Sequence, residues 1–145
     1  MQDLPHHYHV VAQASPDGEV DLVADNVEVL RSAPPLEFGG PGDRWSPESL
    51  LVAAVADCFI LGFRGIAKAS KFTWVTLSCE VEGTLERIER TTKFTEFKVN
   101  ATLTVPKDVD EKTARRLLEK AEASCLITNS LTASTHLAAT VLVEP

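Results

Sequence analysis

"SPESLLVAAVADCFILGFRGIAKA", residues 46–69, is the stretch on which the reading of this chain turns. Ser46 is a favoured helix N-cap, Pro47 suits the first helical position, and Glu48 complements the positive end of the helix dipole. Alanines and leucines follow, and nothing opposes a helix before Gly62 and Gly65. The pattern predicts one long helix over 47–69, apolar almost all round and therefore buried on every side. In a chain of 145 residues, such burial implies a sheet under the helix and a second subunit against it. Asp57 and Cys58 stand together inside this run, among Val55, Ala56, Phe59, Ile60 and Leu61. An unpaired carboxylate buried there would cost on the order of several kcal/mol. Either that face meets something polar, or the cysteine is there for its chemistry.

Working outward, the residues before the helix read as strands. "HYHVVAQA" (7–14) and "EVDLVA" (19–24) alternate loosely about a Pro16-Asp17-Gly18 turn, and "NVEVLRS" (26–32) is a candidate third strand. A loop rich in Pro and Gly follows, from Pro34 to Gly42 and on to the helix. After the helix, residues 73–88 and 94–105 alternate cleanly, with the polar segment 89–93 as their turn. Asp108 or Asp110 caps a second helix over 111–124, with Ala114, Leu117, Leu118, Ala121 and Cys125 on its inner face. "HLAATVLVE" (136–144) is a last strand. Strands, long helix, strands, helix and strand make an α+β fold, expected as a single domain over 1–145.

The bulk numbers narrow the function. A net charge of −7, with no basic cluster, argues against nucleic acid or an anionic membrane as partner. Charged residues interrupt every apolar run short of the roughly 18 residues of a bilayer span. The polar start, Met1 to His9, does not read as a secretory signal. Three widely spaced cysteines do not make a disulfide framework. A reducing, cytoplasmic setting is expected, with thiols that are free, metal-bound or catalytic. His6, His7 and His9 have no cysteine partner at zinc spacing and read as an N-terminal tail, so no metal and no cofactor is expected.

Cys58, taken alone, is compatible with a small core residue. Cys79 sits in an alternating strand without polar company and reads as structural. Cys125 ends the second helix, where the negative end of the dipole would raise a thiol's pKa, so it reads as a poor attacking group but a usable resolving one. Cys58 and Cys125 are compatible with a redox pair, although the CxxC spacing is absent.

"WSPESLLVAAVADCF" (45–59) and "AEASCLITNSL" (121–131) together resemble the two signatures of the OsmC/Ohr family, peroxidases that reduce organic hydroperoxides with two cysteines. The order of elements resembles the family over nearly the whole chain. The resemblance implies an intertwined homodimer with an OsmC-like two-layer fold. It makes Cys58 the peroxidatic cysteine, Cys125 the resolving cysteine, and Glu48 the residue that orients a catalytic arginine. It also implies an organic hydroperoxide substrate and an external dithiol reductant, of lipoyl type in the Ohr branch. Three positions depart from the pattern. No arginine precedes Arg31, which leaves Arg31 and Arg44 as candidates and favours the OsmC-like side; Arg31, at a strand end, is preferred. Leu126 stands where proline is usual, and Asp57 where a small residue is common.

Helix geometry adds two expectations. Residues 57 and 58 point about 100° apart, so Asp57 is expected to face solvent or a partner while Cys58 faces a pocket. Glu48 and Cys58 are about 15 Å apart along one helix, so a shared site would draw Glu48 from a second copy running antiparallel. Phe59 and Phe63 are the expected apolar walls that favour alkyl hydroperoxides. The competing reading is a non-catalytic dimer that binds a small apolar ligand.

Overall fold

The structure, a computed structural model, describes residues 1–145. The fold is α+β, as expected. The chain forms two compact units, Met1–Leu51 and Val52–Pro145.

The first unit holds a three-stranded antiparallel sheet of β1 (Val11–Gln13), β2 (Val20–Val23) and β3 (Leu30–Ser32). All three strands are shorter than the sequence suggests. The β1–β2 turn carries Gly18 at φ 94°, a left-handed conformation that glycine adopts without strain. After a single 3-10 turn at Leu36–Phe38, the chain returns beside β3, where the Ala33 amide donates to the Trp45 carbonyl at 2.9 Å. Gly40 is required there, because a Cβ would fall 1.6 Å from the Pro34 carbonyl oxygen.

Helix α1 spans Pro47–Ala69, as its caps predict. Ser46 and Ser49 close a reciprocal capping box: the Ser49 amide donates to Ser46 Oγ at 3.1 Å and the Ser46 amide to Ser49 Oγ at 2.9 Å. Burial all round is not what this single chain shows. Only Val55, Phe59, Phe63 and Ala67 are buried, one stripe at a spacing of four. Leu61, on another face, is half exposed. As one helix, α1 is also long and apolar enough to cross a bilayer, with a mean hydropathy of 2.0 over its most apolar stretch. Charged residues interrupt the run, so no uninterrupted apolar stretch of that length shows in the sequence. A carboxylate at mid-span, as Asp57 would be, costs roughly 2.5–3.5 kcal/mol in such a setting.

The second unit continues with β4 (Thr76–Ile88) and β5 (Thr91–Val105), an antiparallel hairpin, and ends with β6 (Ser134–Val143), which runs parallel to β5. The hairpin turn is two residues, Glu89 and Arg90, both with left-handed φ (48° and 73°). The turn is tighter than the 89–93 expected from sequence, and neither residue is the usual glycine or asparagine. The crossover from β5 to β6 carries α2 (Glu111–Ala123) and a short α3 (Leu126–Asn129). Asp110 caps α2, accepting from the Lys112 amide at 3.3 Å and the Thr113 hydroxyl at 2.9 Å. Ala114, Leu117, Leu118 and Ala121 are buried, and Arg115 ties α2 to β6 by donating to the Ala139 carbonyl at 2.8 Å.

The central strand β5 buries Phe97, Val99, Ala101 and Leu103 on one face of this sheet. Phe63 meets Trp74 edge to face at 5.4 Å. At Gly83 the helix comes closest to the strand: an added Cβ would lie 2.9 Å from Val52 Cγ2 and 3.0 Å from the Phe94 and Phe97 rings. Gly83→Ala should therefore destabilise the protein by about 1–3 kcal/mol, the usual cost of overpacking. Urea unfolding would measure it, and Val52→Ala in the same background should recover part of the loss. An unchanged midpoint would mean that α1 does not press on β4 there.

Candidate functional site

Two stripes of α1, one helical step apart, do different things. Val55, Phe59, Phe63 and Ala67 enter the core, whereas Ala54, Asp57, Cys58, Leu61 and Gly62 line a cavity. Both sets repeat at three or four residues, as one helix face requires. Ser124, Cys125, Leu126 and Ile127 form the opposite wall, and the cavity holds about 360 Å³. Its lining is mainly apolar, and Asp57 is its only charged residue. Phe59 and Phe63, expected as walls, are 1% and 0% exposed and belong to the core. The apolar walls are Ala54, Leu61, Leu126 and Ile127. Asp57 is exposed to solvent, as expected, and it also lines the same cavity as Cys58.

Cys58 and Cys125 are brought together. Both are free thiols, and their sulfurs lie close enough to act directly on one another. Cys58 is partly exposed and Cys125 only 4% exposed. The local setting of Cys125 differs from the sequence reading. Helix α2 ends at Ala123 with Ser124 as its C-cap, and Cys125 is the N-cap of α3: its carbonyl accepts from the Asn129 amide at 3.0 Å. The dipole argument for a raised pKa therefore does not apply. Burial acts to push the Cys125 thiol up, but the Thr128 hydroxyl and amide, the Cys58 thiol and the Ile127 amide together bring it below the ordinary value. No full cap hydrogen bond forms to its side chain.

Cys58 goes the other way. Burial pushes its thiol up, and the neighbouring Cys125 adds to this, while the backbone amides of Ile127 and Leu126 act in the opposite sense. The two thiols titrate as a pair. The donors that favour a thiolate converge on the Cys125 side of the pair. Cys79, on the helix-facing side of β4, is pushed up to about 11 by burial and by Cys125, and remains a protonated thiol at neutral pH.

Glu48, Arg31 and Arg44 lie in the first unit. Glu48 is on the first turn of α1 in no ion pair, and its Oε1 is buried without a hydrogen-bond partner. Arg31, on β3, is largely exposed and loosely paired with Asp21 at 3.7 Å. Arg44 is held at 3.1 Å by Glu19, which raises its pKa. His136 lies 3.8 Å from Glu96 beside a separate polar shelf on β5 and β6. No three His, Cys, Asp or Glu side chains are grouped so as to hold a metal ion.

Sequence reasoning missed α3 and the backbone donors at its start. A signal was present: Leu126 keeps an N–H that proline lacks, and that N–H bears on Cys58. Leu126→Pro should raise the Cys58 pKa and slow its alkylation at neutral pH. Proline is tolerated at a first helical position, and Cys125 already has the extended backbone that a following proline demands (φ −64°, ψ 109°). The pH dependence of Cys58 alkylation, read by peptide mass spectrometry, checks this; an unchanged profile would show that the Leu126 amide has no effect.

Comparison with known proteins places this geometry in context. The family described as "OsmC-like protein" matches residues 40–139, which include both cysteines. A protein of Bacillus subtilis strain 168, described as "uncharacterized protein YmaD", is 23% identical over 136 residues, 91% of each chain. An OsmC-like protein of unknown function from Vibrio cholerae superposes with a TM-score of 0.85 at 13% identity, covering 93% of this chain and 99% of that one. An organic hydroperoxide resistance protein OsmC from Legionella pneumophila superposes with a TM-score of 0.75 at 23% identity, covering 97% and 99%. One from Elizabethkingia anophelis gives a TM-score of 0.75 at 22% identity, covering 97% and 100%.

Proposed function

The chain belongs to the OsmC-like protein family, and from that membership we propose that it is a cysteine-based peroxidase that reduces organic hydroperoxides to alcohols. The observation that carries the reading is the meeting of Cys58 and Cys125 across one mainly apolar cavity. The hydroperoxide resistance proteins that share the fold support it.

Cys58 is the attacking group, because it is the more accessible of the two. Its thiolate attacks the terminal peroxide oxygen, the O–O bond breaks, and the alkoxide leaves and takes a proton to become the alcohol. Cys58 is then a sulfenic acid. The Cys125 thiolate displaces hydroxide from it, which leaves as water, and a disulfide forms. An external dithiol, oxidised in turn to its own disulfide, restores both thiols. The donors around Cys125 suit a resolving thiolate that is ready when the sulfenic acid appears.

The attacking step needs the charge on Cys58 rather than Cys125, and a guanidinium would bring it there. Arg31 is proposed for this, oriented by Glu48 of the partner subunit in a homodimer. Arg31 is the freer of the two candidates, Arg44 being tied to Glu19. The apolar residues on the uncovered faces of α1, Leu61 among them, suit burial against a second copy. Cytoplasmic localisation fits free thiols and is part of the same proposal.

Treatment with cumene hydroperoxide should give a Cys58–Cys125 disulfide by mass spectrometry, reversed by a dithiol, with Cys79 reduced throughout. A Cys58–Cys79 bond, or no bond, would refute the mechanism. Arg31→Ala should raise the Cys58 pKa and slow peroxide reduction about tenfold or more, the scale of one pKa unit, with a smaller effect from Arg44→Ala. Light scattering should give twice the chain mass; a folded monomer would remove the route by which Glu48 reaches Cys58. The raised Cys58 pKa and the absence of a cation from the cavity wall favour a second reading, a binding module for small apolar molecules. It prevails if Cys58 never forms a sulfenic acid with any hydroperoxide.

A further inference from the structure

We infer that Thr128 is a positioning residue for Cys125: its hydroxyl turns from the Cys125 carbonyl to the Cys125 sulfur whenever that sulfur carries charge. The inference rests on the peroxidase reading for its consequence, which is that Cys125 acts as the thiolate both in the resolving step and in the reduction that follows. It asks nothing of a second subunit, since the two residues belong to one turn of one chain.

Cys125 is the N-cap of α3, and Thr128 stands at the third helical position. That is the spacing at which a capping side chain and the first turn of a helix meet. The Thr128 hydroxyl donates to the Cys125 carbonyl at 3.3 Å, longer than is usual between oxygens, and that carbonyl already accepts from the Asn129 amide at 3.0 Å. The neighbouring hydroxyls are held closely: Ser124 donates to the Lys120 carbonyl at 2.8 Å and Ser130 to the Leu126 carbonyl at 2.7 Å. Each hydroxyl has one proton to give. Of these three, that of Thr128 is both loosely held and beside the sulfur, on which it acts together with its own amide.

Burial makes such a donor necessary. Cys125 is almost closed to water, so a thiolate there has to be met by groups of the protein. Cys58 from α1 and Cys79 from β4 are the titratable groups that interact with this sulfur, and Asp57 lines the same cavity as Cys125. The amides of α3 are fixed, whereas a hydroxyl reorients by rotation about one bond. A threonine in a helix already divides between two rotamers, because its hydroxyl can reach the carbonyl three residues back. A charged sulfur is a stronger acceptor than a carbonyl already served by an amide. The hydroxyl therefore serves the sulfur in the thiolate and the carbonyl in the disulfide, and is left unpaired in neither. In the resolving step the Cys125 thiolate attacks the Cys58 sulfenic sulfur, the S–S bond forms, and hydroxide leaves and takes a proton from solvent. In the reduction a thiolate of the external dithiol attacks the more accessible Cys58 sulfur, the Cys58–Cys125 bond breaks, and Cys125 departs with the electron pair. The second thiol of the reductant then releases Cys58. A stabilised thiolate is the better leaving group, so the same hydroxyl directs the attack to Cys58.

Thr128→Val removes the hydroxyl and keeps the branched shape, and Thr128→Ser keeps the hydroxyl. Cys125 is titrated as the sole thiol of the full chain, with Cys58→Ser and Cys79→Ser, by the ultraviolet absorbance of its thiolate, which needs no entry of a reagent. Thr128→Val should raise the midpoint by about one pH unit, and Thr128→Ser should keep it at the parent value. Equal midpoints in Thr128→Val and the parent would overturn the inference. So would a rise in Thr128→Ser as large as in Thr128→Val, which would mark a packing role. Should Thr128→Val fail to fold, Thr128→Ala makes the same comparison. With all three cysteines present, a pulse of cumene hydroperoxide is followed by mass spectrometry of the Cys58–Cys125 disulfide. A rise of one unit cuts the thiolate about tenfold and raises its nucleophilicity about threefold, so the bond should form about threefold more slowly in Thr128→Val. The Cys58 sulfenic acid trapped by dimedone should rise in step. A midpoint that moves in a chain whose Cys58 no hydroperoxide oxidises would remove the peroxidase reading and keep the Thr128 contact with the sulfur. Disulfide formation at one rate with threonine and with valine would keep the peroxidase and overturn the positioning role.

Discussion

The angular step of about 100° between successive residues of α1 is the constraint on which the rest depends. It separates Phe59, fully committed to the core, from Cys58, which must be reached from outside. A shift of one residue in the seating of α1 would bury the cysteine and turn a phenylalanine into the cavity. The seating is held at both ends of the buried stripe. Val52 lies against Gly83, with no space between for a methyl group, and Phe63 is wedged against Trp74 and Phe72. Close packing of this kind resists sliding, because each methyl group displaced must find room elsewhere in an interior without voids.

The second wall is built on different physics. A four-residue helix has little stability of its own. Helix α3 is held by side chains and backbone around it: Asn129 Nδ2 donates to the Ala123 carbonyl at 3.2 Å, and the Ser130 hydroxyl to the Leu126 carbonyl at 2.7 Å. This break between α2 and α3 changes the electrostatics of Cys125. One more turn of α2 would have set the cysteine among unpaired carbonyls; the break sets it beside unpaired amides. Sign, not magnitude, is what the local backbone decides here.

Long periodic segments were legible in the sequence for that same reason of scale. Helix α1 carries a capping serine, a first-turn proline and 23 residues of consistent pattern, and its bounds could be read off. The β4–β5 strands alternate over more than ten residues each, and their existence was equally plain. Features set by one or two residues were not. Glu89 and Arg90 adopt left-handed backbone without the residues that announce it, and α3 is too short to show a period. In the site, the resemblance supplied the two cysteines, and the structure brings them to one cavity. It could not supply the walls, because which neighbours of Cys58 face it depends on how α1 is seated.

Leu126 and Asp57, both departures from the family pattern, line the same cavity as Cys58. Of the two, it is the Leu126 amide that favours charge on the Cys58 sulfur, together with the Ile127 amide beside it. The effect is not large in a partly wet cavity, where a backbone donor acts at reduced strength. An amide acts only on an atom in contact with its hydrogen, so Leu126 tunes the sulfur and nothing else, while its side chain serves as an apolar wall. One residue thus supplies both a donor and a wall, and a proline there would keep the wall and lose the donor.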